Sequence, residues 1–200
     1  MVEHEIALTK KDRLILLGDY IDRGNESKKV IDYILDSMDR GFDLIPLSGN
    51  HEAMLINACD NHRYLQQWLY NGGGITLQSF GITSVHNLGS RYIQFFRTLP
   101  TYFETGDFLF VHAGFDEDSP EPFLAIHHQL WYCREKYFHE PFSEKLVIHG
   151  HCPVKLEKLK IHIGEARKVL GIDTGCVYKQ YEGFGYLTAI NVNTLELFSL

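Results

Sequence analysis

The sequence predicts an α/β fold in which two packed mixed β-sheets, or one mixed sheet, are flanked by helices. In the first half of the chain, short apolar strand-like runs alternate with amphipathic helical patterns. After Tyr102 strand-like runs dominate, and several lie close enough along the chain to pair as hairpins. The 200 residues are 44% hydrophobic, which suits one globular core. We therefore expect residues 1–200 to form a single domain.

The elements predicted before Tyr102 alternate strand and helix. Ser27 is a residue type that caps helices, and Gly41 is one that ends them. The apolar stripe of the intervening helix comprises Val30, Ile31, Ile34, Leu35 and Met38. The other predicted elements are strands at 13–17 and 42–47, helices at about 53–70 with a break near 60–61, at 75–80 and at 90–99, and a loop at 72–74.

The second half is expected to be rich in strands. A helical segment at about residues 122–138 interrupts them, and the last two strands form a hairpin through Asn193 and Thr194. The predicted strands lie at 102–104, 108–111, 146–148, 160–163, 169–172, 186–192 and 195–200.

Five short segments place polar side chains directly after a predicted strand, where open α/β sheets bind their ligands. Glycines beside these side chains permit sharp turns. Aspartate, asparagine and histidine together suit borderline divalent metals such as Mn, Fe or Zn, and a carboxylate such as that of Asp19 can bridge two of them. The segments are 18–24 (GDYIDRG), 49–52 (GNHE), 111–114 (VHAG), 148–151 (IHGH) and 171–175 (GIDTG).

Taken alone, each of these residues also has a simpler interpretation. The aspartates of residues 18–24 and Asn50 are consistent with turn-stabilising residues, and His112 with a hydrogen-bonded core histidine. Arg23 and Arg134 are consistent with solvated arginines that pair with neighbouring acids. The occurrence of all five segments in one chain, each after a strand, favours a shared charged site.

Composition argues against several classes of protein. A net charge of −7 and a pI near 5.8 disfavour a nucleic-acid binder. No apolar run is long enough to cross a bilayer and no signal peptide is apparent, so we expect a cytoplasmic protein without a membrane partner. The four cysteines are scattered without a C-x-x-C pair, which predicts reduced thiols rather than a disulfide framework.

Motifs of other enzyme classes are incomplete. His4, His51 and His139 are each followed by glutamate, but the second histidine of a zincin helix is absent in every case. The sequence also lacks a G-x-x-x-x-G-K-[ST] phosphate loop and a G-x-S-x-G nucleophile elbow.

The segments resemble the motifs of the calcineurin-like metallophosphoesterases, in particular the phosphoprotein phosphatase superfamily. The closest resemblance is to its bacterial branch of Ser/Thr phosphatases and diadenosine tetraphosphatases. Residues 18–24 resemble the family's G-D-x-x-D-R-G motif and residues 49–52 its G-N-H-E motif. Residues 112–114 and 150–153 resemble its two histidine motifs, H-G/A-G and G-H-T-P. The resemblance implies an αββα sandwich.

The resemblance also implies the role of each site residue. It makes Asp19 a bridge between two divalent cations, with Mn favoured and Fe or Zn as alternatives. His51 becomes the general acid that protonates the leaving oxygen. The position of His149 is usually apolar in this branch, so His149 is a candidate supporting residue that the family motif does not itself supply. The remaining roles are Asn50, His112 and His151 as metal ligands, Asp22 as the residue that orients the general acid, and Arg23 and Arg134 as phosphate-binding residues.

One family motif, G-D-x-H-G on an upstream strand, has no counterpart before Leu14. Glu3, His4 and Glu5 offer suitable ligand types, but a terminal segment of this kind is typically solvated. We therefore expect either coding residues upstream of Met1, or a fold that lacks its first strand and has one incomplete metal site. Loss of that strand would leave the strand at 14–17 with an unpaired edge, which favours association into oligomers.

By resemblance, the chain hydrolyses phosphate monoesters through a metal-activated hydroxide, most plausibly as a protein Ser/Thr phosphatase. The partners implied are a phosphorylated protein or a small phosphoester. Two alternatives stay open: a symmetrical dinucleoside polyphosphate hydrolase and a non-catalytic binding member of the fold. Substrate specificity is expected in the loops at 71–74 and 114–122.

Overall fold

The computed structural model describes residues 6–200, so Glu3, His4 and Glu5 lie outside the described residues. The described part of the chain divides into two compact units, Lys10–Thr101 and a second that contains Tyr102–Leu200 together with residues 6–9. Among the described residues, no helix combines the length and the apolar character needed to cross a membrane. The expectation of a single domain stays a prediction.

The unit of residues 10–101 contains a two-stranded parallel sheet. Strand β1 (Arg13–Leu16) pairs with β2 (Asp43–Pro46) in a register that aligns Arg13 with Asp43. Because the strands are parallel, the residues that follow each of them emerge at the same edge of this sheet. The helices of the unit are α1 (Ser27–Asp39), α2 (Asn50–Asp60), α3 (Leu65–Trp68), α4 (Gly74–Phe80) and α5 (Ser90–Thr98).

Helix α1 begins at the predicted position but buries a different face. Ser27 is its first helical residue rather than its cap, and the Ser27 hydroxyl donates to the Gly24 carbonyl at 3.1 Å. The predicted stripe is wrong at its ends, because Val30 and Met38 are each 41% exposed. The buried residues are Ser27, Ile31, Ile34 and Ser37. Their spacing still forms one helical face, and the small serines let that face pack closely.

The predicted loop at residues 72–74 is also wrong. After the break at the end of α2, the chain continues as a 3₁₀ turn (His62–Tyr64), α3 and a π-helical turn (Leu69–Gly73) that leads directly into α4. Gly72 lies inside that turn with φ of 109°, a conformation that glycine adopts without a steric penalty. The glycines therefore redirect a helical path instead of forming an open loop.

The unit of residues 102–200 contains a four-stranded mixed sheet. Its order is β3 (Tyr102–Thr105), β4 (Phe108–Val111), β5 (Leu146–His149), β6 (Val169–Gly171), with only the β3–β4 pair antiparallel. A separate hairpin pairs β7 (Thr188–Ile190) with β8 (Leu197–Ser199), as predicted. The mixed α/β class with several sheets is confirmed. A core cluster on the sheet comprises Leu109, Val111, Phe115, Tyr137, Phe142, Val147 and Val169.

Two predictions for this unit are wrong. Residues 160–163 form part of helix α7 (Leu156–Gly164) rather than a strand, because Leu159 and His162 are buried three residues apart, which is a helical and not a strand spacing. The helical segment predicted at 122–138 is confined to a 3₁₀ turn (Pro122–Leu124) and α6 (Ile126–Trp131). Residues 132–138 are irregular.

Candidate active site

The edge of the β1–β2 sheet gathers the polar residues of the first two segments. Asp19 lies in the turn after β1, and buried Asn50 is the first residue of α2, which follows β2. The turn adopts left-handed backbone at three non-glycine residues, Asp19 (φ 60°), Asp22 (φ 70°) and Arg23 (φ 57°). Such conformations cost about 1–3 kcal/mol each and cluster at functional sites.

Glu52 connects this turn to the start of α2. Its fully buried carboxylate accepts hydrogen bonds from the backbone N–H groups of Asp19 (2.9 Å), Tyr20 (2.7 Å) and Gly49 (2.9 Å). Burial and then the charge of Asp19 raise the pKa of Glu52 to about 7, against the opposing effect of these N–H donors. The sequence motif contains Glu52 but does not indicate this structural role.

Gly49 allows the two segments to approach each other closely. A Cβ atom at this position would contact Asp19 Oδ1 and lie 2.6 Å from the Asp19 nitrogen and 2.8 Å from Glu52 Oε2. The backbone N–H of His51 donates to the same Asp19 Oδ1 at 3.3 Å. The glycine therefore lets the Asp19 carboxylate lie directly against the N-terminus of α2.

His51 and Asp22 form a buried hydrogen-bonded pair. His51 Nδ1 donates to Asp22 Oδ2 at 2.6 Å, and the two side chains are 2% and 0% exposed. Burial lowers the pKa of His51, but the Asp22 hydrogen bond and the charges of Asp19 and Asp22 outweigh it, so this pKa lies above its ordinary value. Because Nδ1 is used by Asp22, proton exchange with a bound molecule falls to Nε2.

Two residues that sequence reasoning missed hold Asp22 in place. The indole Nε1 of Trp68 donates to Asp22 Oδ2 at 3.1 Å, and the Thr76 hydroxyl donates to Oδ1 at 2.7 Å. The Thr76 oxygen also accepts the backbone N–H of Asp22 at 2.8 Å. Trp68 and Thr76 flank the glycines at 72–74, and that proximity is the signal by which the sequence could have indicated them.

In the unit of residues 102–200, two histidines lie at the edge of the four-stranded sheet. His112 directly follows β4 and is buried, and His151 follows β5 with a left-handed φ of 61°. His112 Nε2 and His151 Nδ1 are 3.1 Å apart. Two imidazole nitrogens bound at about 2.1 Å to adjacent positions of one octahedral cation would be roughly 3 Å apart, so this pair fits a divalent metal.

His149 supports the His151 turn. Its Nδ1 donates to the Gly150 carbonyl at 2.8 Å, and its ring packs so tightly on Gly171 that a Cβ there would be 2.9 Å from Cε1. Burial lowers the pKa of His149, which favours the neutral ring. In the fifth segment, Asp173 Oδ1 accepts the Gly175 N–H at 2.8 Å, as expected of a turn-stabilising aspartate.

Arg134 is paired with acidic side chains. Its Nη1 donates to Glu117 Oε1 at 2.7 Å and its Nη2 to Asp118 Oδ2 at 2.9 Å. Glu117 is itself buried and accepts the backbone N–H groups of Phe138 (2.7 Å) and His139 (2.8 Å). These contacts fix the irregular segment that carries the guanidinium. Arg23, in the other unit, is exposed.

Cys133 and Cys152 form a disulfide, so the prediction of reduced thiols is wrong for this pair. The two residues are 19 positions apart, but the fold brings the segment after α6 beside the turn after β5, with a Cα–Cα distance of 6.4 Å. Cys59 and Cys176 are free thiols. Sequence spacing alone does not reveal a bridge between two such distant turns.

Similarity to solved structures extends over the whole chain. A "putative diadenosine tetraphosphatase" shares 15% identity and a TM-score of 0.60, with 100% of this chain and 85% of that chain covered. A mutant of a cold-active protein tyrosine phosphatase shares 16% identity and a TM-score of 0.52, with 94% of this chain and 69% of that one covered. At these identities the likeness shows the fold alone.

Comparison of the sequence with family models identifies the family of the chain. No curated protein matches the chain. The profile of the calcineurin-like phosphoesterases, however, matches residues 2–178, which include the Asp22–His51 pair and also His112 and His151. The chain belongs to the calcineurin-like phosphoesterase family.

Proposed function

We propose that the chain is a metal-dependent phosphoesterase that hydrolyses phosphate monoesters, with phosphorylated proteins as the favoured substrates. The observation that carries the proposal is the buried Asp22–His51 pair, whose two side chains are almost inaccessible and joined by a 2.6 Å hydrogen bond. A buried carboxylate that orients a histidine is the arrangement expected of a proton donor in ester hydrolysis.

In the unit of residues 10–101, Asp19 and Asn50 would act as ligands of a divalent cation. In the unit of residues 102–200, His112 and His151 would do so. The mixed oxygen and nitrogen donors suit Mn²⁺, with Fe²⁺ or Zn²⁺ as alternatives. When bound, such cations supply Lewis acidity and lower the pKa of water, the two properties that phosphate ester hydrolysis needs most.

The remaining residues act on the substrate. His51 donates a proton from Nε2 to the leaving oxygen, and Asp22 stabilises the charged ring before transfer. The exposed guanidinium of Arg23 binds phosphoryl oxygens in a bidentate manner. Arg134 serves the same purpose once it exchanges its carboxylate partners for phosphate.

The test is hydrolysis of an aryl phosphate by the purified chain with added Mn²⁺. We expect turnover that is abolished by chelation and that falls by about 10²–10⁴-fold in His51→Asn, because general acid catalysis contributes a factor of this size. The exposed His86→Asn is the matched control and should retain the wild-type rate. A His51→Asn variant with the wild-type rate would exclude the proton-donor role.

A dinucleoside polyphosphate is the second substrate class, because the same groups can cleave a phosphoanhydride and a structural neighbour carries that description. Parallel product assays on a phosphopeptide and on diadenosine tetraphosphate distinguish the two classes. A well-folded protein that binds no metal and cleaves neither substrate would instead favour a non-catalytic binding role.

A further inference from the structure

The Cys133–Cys152 disulfide joins two segments that carry proposed functional residues. Cys133 immediately precedes Arg134, and Cys152 immediately follows His151. The bridge therefore connects the guanidinium proposed to bind phosphate to the turn of a proposed metal ligand. Both turns lie within the unit of residues 102–200.

The position of the Arg134 side chain depends on the segment that the disulfide holds. Residues 132–138 lack regular secondary structure, so the position of Arg134 depends on its anchors rather than on a helix. One anchor is Cys133, and another is the pairing of the guanidinium with Glu117 and Asp118 at 2.7 and 2.9 Å. Loss of the covalent anchor leaves the backbone hydrogen bonds of Phe138 and His139 to Glu117, but the guanidinium itself keeps only ionic contacts, which a phosphate dianion can replace.

The two cysteines are not enclosed in the core. Both are half-buried, so each residue is partly exposed to solvent, as the exchange of a disulfide with a small thiol requires. Cys152 occupies the position where the family motif cited above has threonine, so the thiol is a feature of this chain's own sequence.

We propose that Cys133 and Cys152 form a reversible thiol–disulfide switch in which the disulfide keeps Arg134 paired with Glu117 and Asp118 and thereby weakens phosphate binding. The link to catalysis rests on the function proposed above. The reduced chain is the competent form, and oxidation is inhibitory.

The chemistry needs a dithiol reductant and a peroxide oxidant. In reduction, one thiolate of the dithiol attacks a bridge sulfur to give a mixed disulfide, and its second thiol displaces the remaining cysteine. Two electrons and two protons pass to the cysteine pair, and the dithiol becomes a disulfide. In oxidation, the peroxide oxygen converts one thiol to a sulfenic acid with release of water or alcohol, and the second thiol displaces water to close the bridge.

The test uses the full chain carrying Cys59→Ser and Cys176→Ser, so that the proposed pair provides the only thiols. Oxidised and reduced samples, freed of reagent, are alkylated and weighed by mass spectrometry to count thiols. Binding of inorganic phosphate is then measured by calorimetry with Mn²⁺ present, and kcat/KM is measured on an aryl phosphate. We expect reduction to tighten phosphate binding and to raise kcat/KM by about tenfold, the effect of one hydrogen bond to a charged group.

The single variants Cys133→Ser and Cys152→Ser should show the phosphate affinity and the kcat/KM of the reduced chain, whether they have been oxidised or reduced. Equal or absent phosphate binding in the two states, or a pair that does not oxidise, would overturn the switch. A redox-dependent phosphate affinity without any hydrolysis would leave the switch standing and refute the proposed catalytic function instead. The two failures are therefore distinguishable.

Discussion

At the scale of single residues, Asp22 is a tightly constrained side chain of the candidate site. One of its oxygens accepts hydrogen bonds from His51 and Trp68, and the other accepts the Thr76 hydroxyl. Since all three donors act on a fully buried carboxylate, the loss of any one weakens the compensation for its burial, and Oδ1 depends on the Thr76 hydroxyl. The orientation of the proposed proton donor thus depends on residues far along the chain.

Thr76→Val should weaken proton donation more than substrate binding. The valine retains the shape of threonine but leaves both Asp22 Oδ1 and the Asp22 N–H without the Thr76 oxygen, at a cost of about 1–3 kcal/mol. We expect kcat to fall most for aryl phosphates with poor leaving groups, with little change in KM.

Thr76→Ser restores the hydroxyl and should recover most of the rate. A merely structural role for Thr76 would lower the rate for all leaving groups alike, and that uniform loss would contradict the interpretation.

Gly49→Ala should abolish activity and reduce stability. The new methyl group would overlap the Asp19 carboxylate and the Glu52 carboxylate, so the turn must move. We expect a loss of about 1–3 kcal/mol in the free energy of unfolding, measured by urea denaturation.

Gly74→Ala is the matched control, because a Cβ at that helical position meets no atom within 4 Å. It should be neutral or more stable by about 0.5–1 kcal/mol, since alanine favours a helix over glycine. Equal effects at the two positions would show that close approach is not the reason for glycine at position 49.

At the scale of elements, strand ends were more predictable than the helices that surround them. The five polar segments all follow strands β1, β2, β4, β5 and β6, as expected, because an apolar run followed by glycine and polar residues has few other interpretations. The sequence predicts a strand rather than a helix at residues 160–163 because a four-residue window cannot distinguish the helical period from the strand period. The buried face of α1 was misplaced since Ser27 and Ser37 carry no hydrophobic signal.

Helix α7 should give the protein part of its sensitivity to acid. Its His162 is buried, and Nε2 has no hydrogen-bond partner among the described residues. Burial, and then the charges of Arg167 and Lys158, lower the pKa of His162 below its usual value of 6.5. As the pH falls, His162 is therefore protonated in the unfolded chain before it is protonated in the folded protein. The stability that the neutral His162 contributes is complete above the pKa of the unfolded chain, and it is lost as the pH falls through the pKa of the folded protein.

Replacement of His162 by leucine should make stability less dependent on pH. Urea unfolding from about pH 7.5 to about pH 5.5 should show a smaller decline for His162→Leu than for wild type. The exposed His86→Leu should decline as wild type does. Parallel curves for wild type and His162→Leu would assign the acid sensitivity to other groups.

At the scale of the whole molecule, the family is predictable from short motifs, and the mixed α/β class from the pattern of strands and helices. The contacts between distant segments of the chain are not predictable in this way. Motif residues such as Asn50 and His112 are contiguous with strand ends and are visible in the sequence. The Cys133–Cys152 bridge and the Glu117–Arg134 pair depend on how distant turns meet. Their partners have no fixed spacing, so no local pattern identifies them.

Cation binding should stabilise the chain as a whole. With Mn²⁺ at about one hundred times its Kd, the gain of ~2.7 kcal/mol should raise Tm by about 5–10 °C relative to chelated protein. Asn50→Ala and His112→Ala, which alter different units, should each reduce this shift, and the exposed His127→Ala should not. A Tm that is insensitive to Mn²⁺ would contradict the proposed ligands.

Asp19, Arg23 and His151, three residues with proposed functional roles, adopt left-handed backbone that costs stability at each position. Glycine adopts left-handed backbone without a steric penalty, and asparagine adopts it at a small cost. Selection for the amount of folded protein alone should therefore favour glycine or asparagine at these positions. In a saturation library, Asp19→Gly, Arg23→Gly and His151→Asn should be enriched by selection for soluble protein and depleted by selection for phosphate release. Directed evolution of a more stable variant would therefore have to keep these three positions unchanged.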